Sequence, residues 1–279
     1  MLRLLGENSL KNLILFIVAF LAASCGSARR EVRLIANENN VSNLNHSVVG
    51  LILPTNTEIR NMGLSNPYQS RGLNTLGRSH RTYCSGFFVS RRSILTAAHC
   101  VRRVSVTNTM FGPRITPLDE DPTGDLHKVI SYSQYMASGH NMQVYRLYEV
   151  TRYNSDQDVA LLTLTDGQTP HSHLNVLKLG GDPHTGEIVY CLGHPANQPW
   201  TLTEGIISTG YRTVRRVVLG RSVIQRVTQA SSQVFFGNSG GPLINNEGRV
   251  VGVASNIIQP HIAFFTHVRV LRSLIAENH

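Results

Sequence analysis

The sequence predicts an all-β protein, a barrel or sandwich closed by one C-terminal helix. Short runs rich in Val, Ile and Leu recur along the chain, broken by Gly, Pro, Asn or Ser. Several short strands at that spacing read as a sandwich or barrel. Helical periodicity is scarce until the tail HVRVLRSLIAEN, 267–278, where Val268, Leu271, Leu274 and Ile275 fall at the 3–4 spacing of one helical face.

The elements follow in order. Residues 13–23, LILFIVAFLAA, are eleven apolar residues behind Arg3 and Lys11. That is short for a membrane span and fits the apolar region of an export signal. Small residues follow in AASCGSA, so residues 1–24 are expected to be a signal peptide. Cys25 sits where a bacterial lipoprotein would carry its lipid, although Ala22 occupies the usual leucine position of that box. A plain secretory signal and an uncleaved anchor are the alternatives, and all three deliver the rest of the chain outside the cytoplasm. Residues 25–45 are polar and Asn-rich, a flexible segment or pro-region. The expected strands are VVGLIL (48–53), GFFVS (86–90), SILTAA (93–98), DVALLTL (158–164), EIVYCLG (187–193), TEGIIST (203–209), VIQRVTQ (223–229), GPLIN (241–245), RVVGVAS (249–255) and IAFFTHV (262–268). Residues 55–82 and 103–146 mix Gly, Pro, Ser, Asn and Arg and read as long irregular loops. GDPHTG, 181–186, is a turn cluster.

Composition bounds the function. The chain has 279 residues, 41% hydrophobic and 15% charged, with a net charge of +9. That is globular composition with a basic surface, suited to acidic partners or anionic membrane surfaces. Loss of residues 1–24 removes only Arg3, Lys11 and Glu7 among the charged groups, so the basic character belongs to the remainder. The basic residues are scattered or in doublets such as Arg215-Arg216, without the long stripe or motif of a nucleic-acid binder. No nucleic-acid partner is expected.

Four cysteines occur, Cys25, Cys84, Cys100 and Cys191. An oxidising compartment favours a local pair. Cys84 and Cys100 end the stretch CSGFFVSRRSILTAAHC, which reads as two strands about the turn SRRS and can bring its ends together. Cys191 is then unpaired and reads as a small buried hydrophobe.

Three short stretches carry chemistry. FFGNSGGPLI, 235–244, spends three glycines around Ser239. Glycine permits positive φ and close backbone approach, so amide hydrogens can converge there. A serine hydroxyl becomes a nucleophile only with a base and with donors for the oxyanion it generates. By itself the stretch is also readable as a Gly-rich hairpin with an exposed serine. ILTAAHC places His99 after an apolar strand and beside a cysteine; alone it is also readable as a core histidine. SDQDVALLTL places Asp158 directly before an apolar strand, where it can accept the Nδ1 proton of an imidazole. Asp156 is the rival, and a turn aspartate the plain alternative.

TAAHC, DVALL and GNSGGP, in that order, resemble the trypsin/chymotrypsin-like serine proteases over about residues 46–275. The resemblance implies two six-stranded antiparallel β-barrels, about 46–168 and 172–265, with a C-terminal helix and the active site between them. It implies His99, Asp158 and Ser239 as catalytic residues, Gly237 and Ser239 amides as the oxyanion hole, and a Cys84–Cys100 disulfide. Protein or peptide substrates are implied, with no cofactor and no metal. The runs LGHPANQPWTLTEGIIS and GNSGGPLINNEGRVVGVAS are similar to the bacterial branches, the HtrA/Deg proteases and the glutamyl endopeptidases. No C-terminal PDZ domain of the HtrA kind is expected. Asn238 stands where trypsin has an aspartate that pairs with a new N-terminus, so that activation route is not expected.

For the primary specificity pocket the resemblance points to Gln233 at the floor and to Ala254 and Ser255 in the wall. Ala254 replaces the histidine of Glu- or Gln-preferring members, and Gln233 offers no carboxylate for Arg or Lys. With Phe264 and Phe265 narrowing the pocket, a small or medium apolar P1 residue is expected; His261 and His267 lie near enough in sequence to alter it. His171-Ser172-His173 and the Cys191/His194 pair each offer half a zinc site at most. The competing functional readings are a non-catalytic binding module on the same scaffold and a latent precursor. Membrane attachment would run through a lipidated Cys25; the oligomeric state is not legible.

Overall fold

A computed structural model describes residues 43–52, 82–109, 112–140, 144–259 and 261–276. The signal segment 1–24, Cys25, residues 25–42 and the expected loop 55–81 lie outside the described residues.

Strands β1 (Val48–Ile52), β2 (Thr82–Phe88), β3 (Ser93–Thr96), β6 (Leu126–Ser131), β7 (Arg146–Asn154) and β8 (Val159–Leu164) close a barrel in the order β1-β2-β3-β8-β7-β6. A second closed barrel runs β10-β11-β14-β13-β12-β9, from β9 (Ile188–Gly193), β10 (Thr201–Val218), β11 (Arg221–Ala230), β12 (Pro242–Asn245), β13 (Val250–Gln259) and β14 (Ile262–His267). Closure leaves no unpaired strand edge within either ring. Strands β4 (Val104–Thr109) and β5 (Gly112–Pro117) form a separate two-stranded sheet. Helices α1 (Ala98–Val101), α2 (Tyr132–Ala137) and α3 (Val268–Ala276) stand between and after the strands.

The alternation in the sequence explains the cores. Val49, Leu51, Phe88, Ile94, Ala160 and Leu162 fill the first barrel. Val189, Cys191, Ile207, Leu243, Val251 and Phe265 fill the second. Helix α3 buries Val268, Val270, Leu271 and Leu274, while Arg152 on β7 donates to the carbonyls of Leu274 and Ile275 at its C-terminal end.

The reading of 103–146 as irregular is corrected. It holds β4, β5, β6 and helix α2, the last opened by a capping box between Ser131 and Gln134. β6 escaped notice because LHKVIS places two polar residues at buried positions. His127 is 2% and Lys128 1% exposed, and the Lys128 ammonium lies 3.9 Å from the centre of the Tyr145 ring. β7, which starts at the end of that stretch, alternates buried Tyr148 and Val150 with exposed Glu149 and Thr151, the period-2 pattern of a half-buried strand.

Cys84 and Cys100 are bonded. They tie β2 to helix α1, which carries His99. For a loop of this length, replacing both by serine is expected to lower the unfolding free energy by about 3 kcal/mol, read from denaturant titration of the oxidised parent and the double variant.

His171 lies inside the first barrel, its ring 5.4 Å from Phe88 and 6.0 Å from Tyr148. Neither ring nitrogen has a partner, and burial, aided by the Arg146 charge, pushes its pKa down to about 4. His173, two residues on, is exposed, so the two do not form a metal chelate. Because the unfolded imidazole titrates near 6.5, the unfolded state gains protons first as pH falls. Stability is therefore lost between about pH 6.5 and pH 4, by about 3 kcal/mol for this group. His171→Phe should abolish that part of the acid dependence in unfolding measurements across pH 7 to 4; an unchanged slope would contradict the assignment.

Candidate active site

His99 projects from α1, immediately after β3. Its ring Nδ1 lies 2.9 Å from Asp158 Oδ2 and 3.0 Å from Oδ1, and its backbone N–H donates to Oδ1 at 2.9 Å. With Nδ1–H given to the carboxylate, the neutral ring keeps Nε2 as an acceptor.

Asp158 is 6% exposed and sits at φ +56°, a left-handed conformation uncommon for a side chain larger than glycine. The loop around it is held from the second barrel. The Thr266 hydroxyl donates to the Gln157 carbonyl at 2.8 Å, and the Gln157 side-chain amide donates to the Ile224 carbonyl at 2.8 Å. Burial works against the Asp158 charge. The neighbouring His99, the hydrogen bonds from its ring and backbone, and that from Ser255 outweigh it and bring the carboxyl pKa down to about 2. Asp156, the rival, pairs weakly with Arg221 at 3.9 Å and sits outside this arrangement.

Ser239 lies on the turn before β12. Its carbonyl accepts from the Ser85 N–H at 2.8 Å, on the strand bearing Cys84. Gly240 has φ +83°, and a Cβ there would run into the Ser85 carbonyl and the Thr96 hydroxyl, so only glycine lets the turn press against β2 and β3. That close approach sets Ser239 beside the strand leading to His99.

The preceding turn has an unusual hydrogen-bond pattern. Asn238 N–H donates to the Phe235 carbonyl at 3.0 Å, and Gly237 has φ +104°, as a type II turn requires at its third residue. Four consecutive carbonyls are held. That of Phe236 accepts from Ala196 N–H (2.7 Å), Gly237 from the Ser85 hydroxyl (2.7 Å), Asn238 from Gly241 N–H (2.8 Å), and Ser239 from Ser85 N–H. A trans peptide points its N–H opposite its C=O. Fixing the Phe236 and Asn238 carbonyls therefore turns the Gly237 and Ser239 N–H groups the other way. Among the described residues neither amide donates to an acceptor. Two oriented, unspent donors beside a serine can receive an anionic oxygen.

The family model for the trypsin-like peptidase domain matches residues 84–253, more than half the chain. The chain belongs to the trypsin-like peptidase family. Among curated relatives it is 33% identical over 114 residues to Protease Do-like 1, chloroplastic, of Arabidopsis thaliana, covering 40% of this chain and 25% of that protein. It is 29% identical over 160 residues to serine protease HTRA1 of Xenopus tropicalis, covering 54% and 34%. The chain thus spans about a quarter and about a third of the length of these relatives. Its fold is similar to that of the Rv3671c protease from M. tuberculosis in its active form, with a TM-score of 0.56, 20% identity and 86% of both chains covered. It is also similar to a serine endoprotease from Yersinia pestis, with a TM-score of 0.51 and 20% identity over 85% of this chain and 64% of that one.

A groove of about 370 Å³ lies beside His99, Asp158 and Ser255, walled by Arg102, Arg216 and Asn256. The residues expected in the specificity pocket are spread over different environments. Gln233 is exposed, its carbonyl accepting from the Thr203 hydroxyl at 2.8 Å. Ala254 is fully buried, its N–H and C=O paired with Gly241 C=O and Gly240 N–H. Ser255 spends its hydroxyl on Asp158 Oδ2 at 2.5 Å while accepting from the Gln225 amide at 3.0 Å. Its wall position carries a carboxylate contact that sequence reading missed, since only the tertiary fold brings residue 255 to residue 158. Phe265 belongs to the barrel core and is not free to narrow a pocket. His267 is buried, its Nδ1 accepting from Arg269 N–H at the start of α3.

Cys191 is buried in the second barrel, and burial pushes its thiol up to about 12, which makes it inert as a nucleophile. His194 turns its Nδ1 to Ser85, so the two do not act as a metal pair. The sulfurs of Cys84 and Cys100 near His99 are bonded to each other and offer no thiolate. Among the described residues no helix is long and apolar enough to cross a membrane.

Proposed function

We propose that this chain is a serine endopeptidase with Ser239 as nucleophile, His99 as general base and acid, Asp158 as the orienting carboxylate, and the Gly237 and Ser239 amides as the oxyanion hole. His99 Nε2 takes the Ser239 proton as the hydroxyl oxygen bonds to a peptide carbonyl carbon. The carbonyl oxygen, now negative, is received by the two amides. The C–N bond breaks as the imidazolium returns the proton to the leaving amine. Water then cleaves the acyl-enzyme by the same steps, regenerating Ser239.

The observation that carries this reading is the pair of unspent amides beside Ser239, oriented by held carbonyls on both sides. A serine in an ordinary hairpin needs no such arrangement. The same feature weighs against a non-catalytic module, because a silenced scaffold would be expected to fill or turn those donors. A fluorophosphonate probe tests it. Labelling should map to Ser239 by peptide mass spectrometry and disappear in His99→Ala; a protein that stays unlabelled while folded would count for the binding-module reading.

The substrates are proteins or peptides, with a small or medium apolar residue preferred at P1, which a peptide-library cleavage profile would test. The apolar segment 13–23 behind Arg3 and Lys11 supports export, to the cell envelope or the medium, with Cys25 as the candidate lipid attachment point.

A further inference from the structure

The Ser85 hydroxyl is fully buried and lies between two partners. Its oxygen is 2.7 Å from the Gly237 carbonyl, 3.0 Å from His194 Nδ1 and 3.1 Å from His194 N. A carbonyl can only accept, so the one hydroxyl proton goes to Gly237. Toward His194 the same oxygen must then accept, from the backbone N–H and from a proton on Nδ1. That fixes the tautomer of His194, with Nε2 bare, buried and without a partner against Gly50 of β1. The backbone N–H of Ser85 holds the Ser239 carbonyl at 2.8 Å. One residue of the first barrel thus grips the turn of the second on both sides of Asn238.

His194 is itself held. Its ring meets Trp200 edge-on at 4.7 Å, and the Trp200 indole N–H donates to the Val48 carbonyl at 3.0 Å. Trp200 also packs on Tyr132 and Tyr135 of α2, at 5.1 and 5.0 Å. The loop between His194 and Trp200 carries Ala196, whose N–H fixes the Phe236 carbonyl from a left-handed conformation, φ +48°.

We propose that Ser85 and His194 are a buried positioning pair that keeps the Gly237 and Ser239 amides facing the oxyanion, so that the hole on one barrel is set by the other. This rests on the oxyanion-hole reading above. Neither side chain touches substrate. Without the Ser85 hydroxyl, the Gly237 carbonyl loses its donor, and the Gly237–Asn238 peptide can rotate to find another. Such rotation disturbs donors needed in the transition state more than those needed for ground-state binding.

The test uses the full chain and the p-nitroanilide of succinyl-Ala-Ala-Pro-Val. Ser85→Ala is expected to lower kcat tenfold or more with KM within about twofold, and to weaken a boronic acid of the same peptide by the same factor as kcat/KM. His194→Leu should behave likewise, whereas His194→Asn, which keeps an N–H donor near the Nδ1 position, should recover most of kcat. Thermal midpoints of each variant establish that it is folded at the assay temperature. A folded Ser85→Ala with parental kcat overturns the proposal, as does a His194→Asn no better than His194→Leu. If Ser85→Ala does not fold, the His194 comparison decides alone. Ser239→Ala separates the two levels: parental turnover in that variant sinks the nucleophile reading itself, whereas its loss beside an unaffected Ser85→Ala sinks only the positioning pair.

Discussion

Ser239→Ala is expected to cut peptide turnover by about 10⁴- to 10⁶-fold while leaving a residual rate above that in water. The expectation follows from what remains. The Gly237 and Ser239 amides do not depend on the serine side chain, and the held carbonyls that orient them are backbone groups. The variant would therefore still bind substrate and receive a developing oxyanion, but it could form no acyl-enzyme. KM should change little. The thermal midpoint should stay near that of the parent, because among the described residues the Ser239 contacts with β2 run through its backbone. Progress curves at high enzyme concentration, with the thermal midpoint alongside, check both halves. Retention of parental turnover would mean that the chemistry is elsewhere.

Asp158→Asn is expected to lower kcat at neutral pH by about 10⁴-fold. The carboxylate takes a ring N–H and a backbone N–H from His99 and the hydroxyl of Ser255. An asparagine has one acceptor oxygen for these donors. If its NH₂ meets the imidazole, Nδ1 must become the acceptor and the proton moves to Nε2, where it blocks removal of the Ser239 proton. Stability has its own signature. The carboxyl pKa is held down at about 2, below its ordinary value of 3.8. The stabilisation is present above about pH 4 and is lost as pH falls toward 2, an amount on the order of 2 kcal/mol. The asparagine variant should lack that portion of the acid dependence. Steady-state kinetics at pH 7 and unfolding between pH 5 and 2 give independent readings.

The two outcomes depend on parts of the molecule that were unequally legible. GNSGGP, TAAHC and DVALL each announce a strand meeting a turn, and local residue chemistry fixes such features: glycines where φ must be positive, a carboxylate at a strand entry. The cysteine pair was readable for the same reason, since both ends of one hairpin lie close in sequence. Strand β6 was not, because buried Lys128 and His127 erase the apolar alternation, and their burial is settled by partners such as Tyr145 and Tyr83 that lie elsewhere in the chain. The resemblance put Ser255 beside the pocket with the rest of its strand; its hydroxyl meets Asp158, 97 residues earlier.

By itself the sequence determined the β class, the closing helix and the disulfide, which follow from periodicity and from stretches a few residues long, and its resemblance to the trypsin-like proteases singled out His99, Asp158 and Ser239 as candidates. Only the tertiary structure decided how the amides beside Ser239 are aimed, which group holds Asp158 besides His99, and that the Ser85 hydroxyl bridges His194 and the Gly237 carbonyl. These are hydrogen bonds between groups such as Ser85 and Gly237, 152 residues apart. A hydroxyl or a carbonyl has the same covalent form whichever partner it meets, so its role is written in the packing of one barrel against the other.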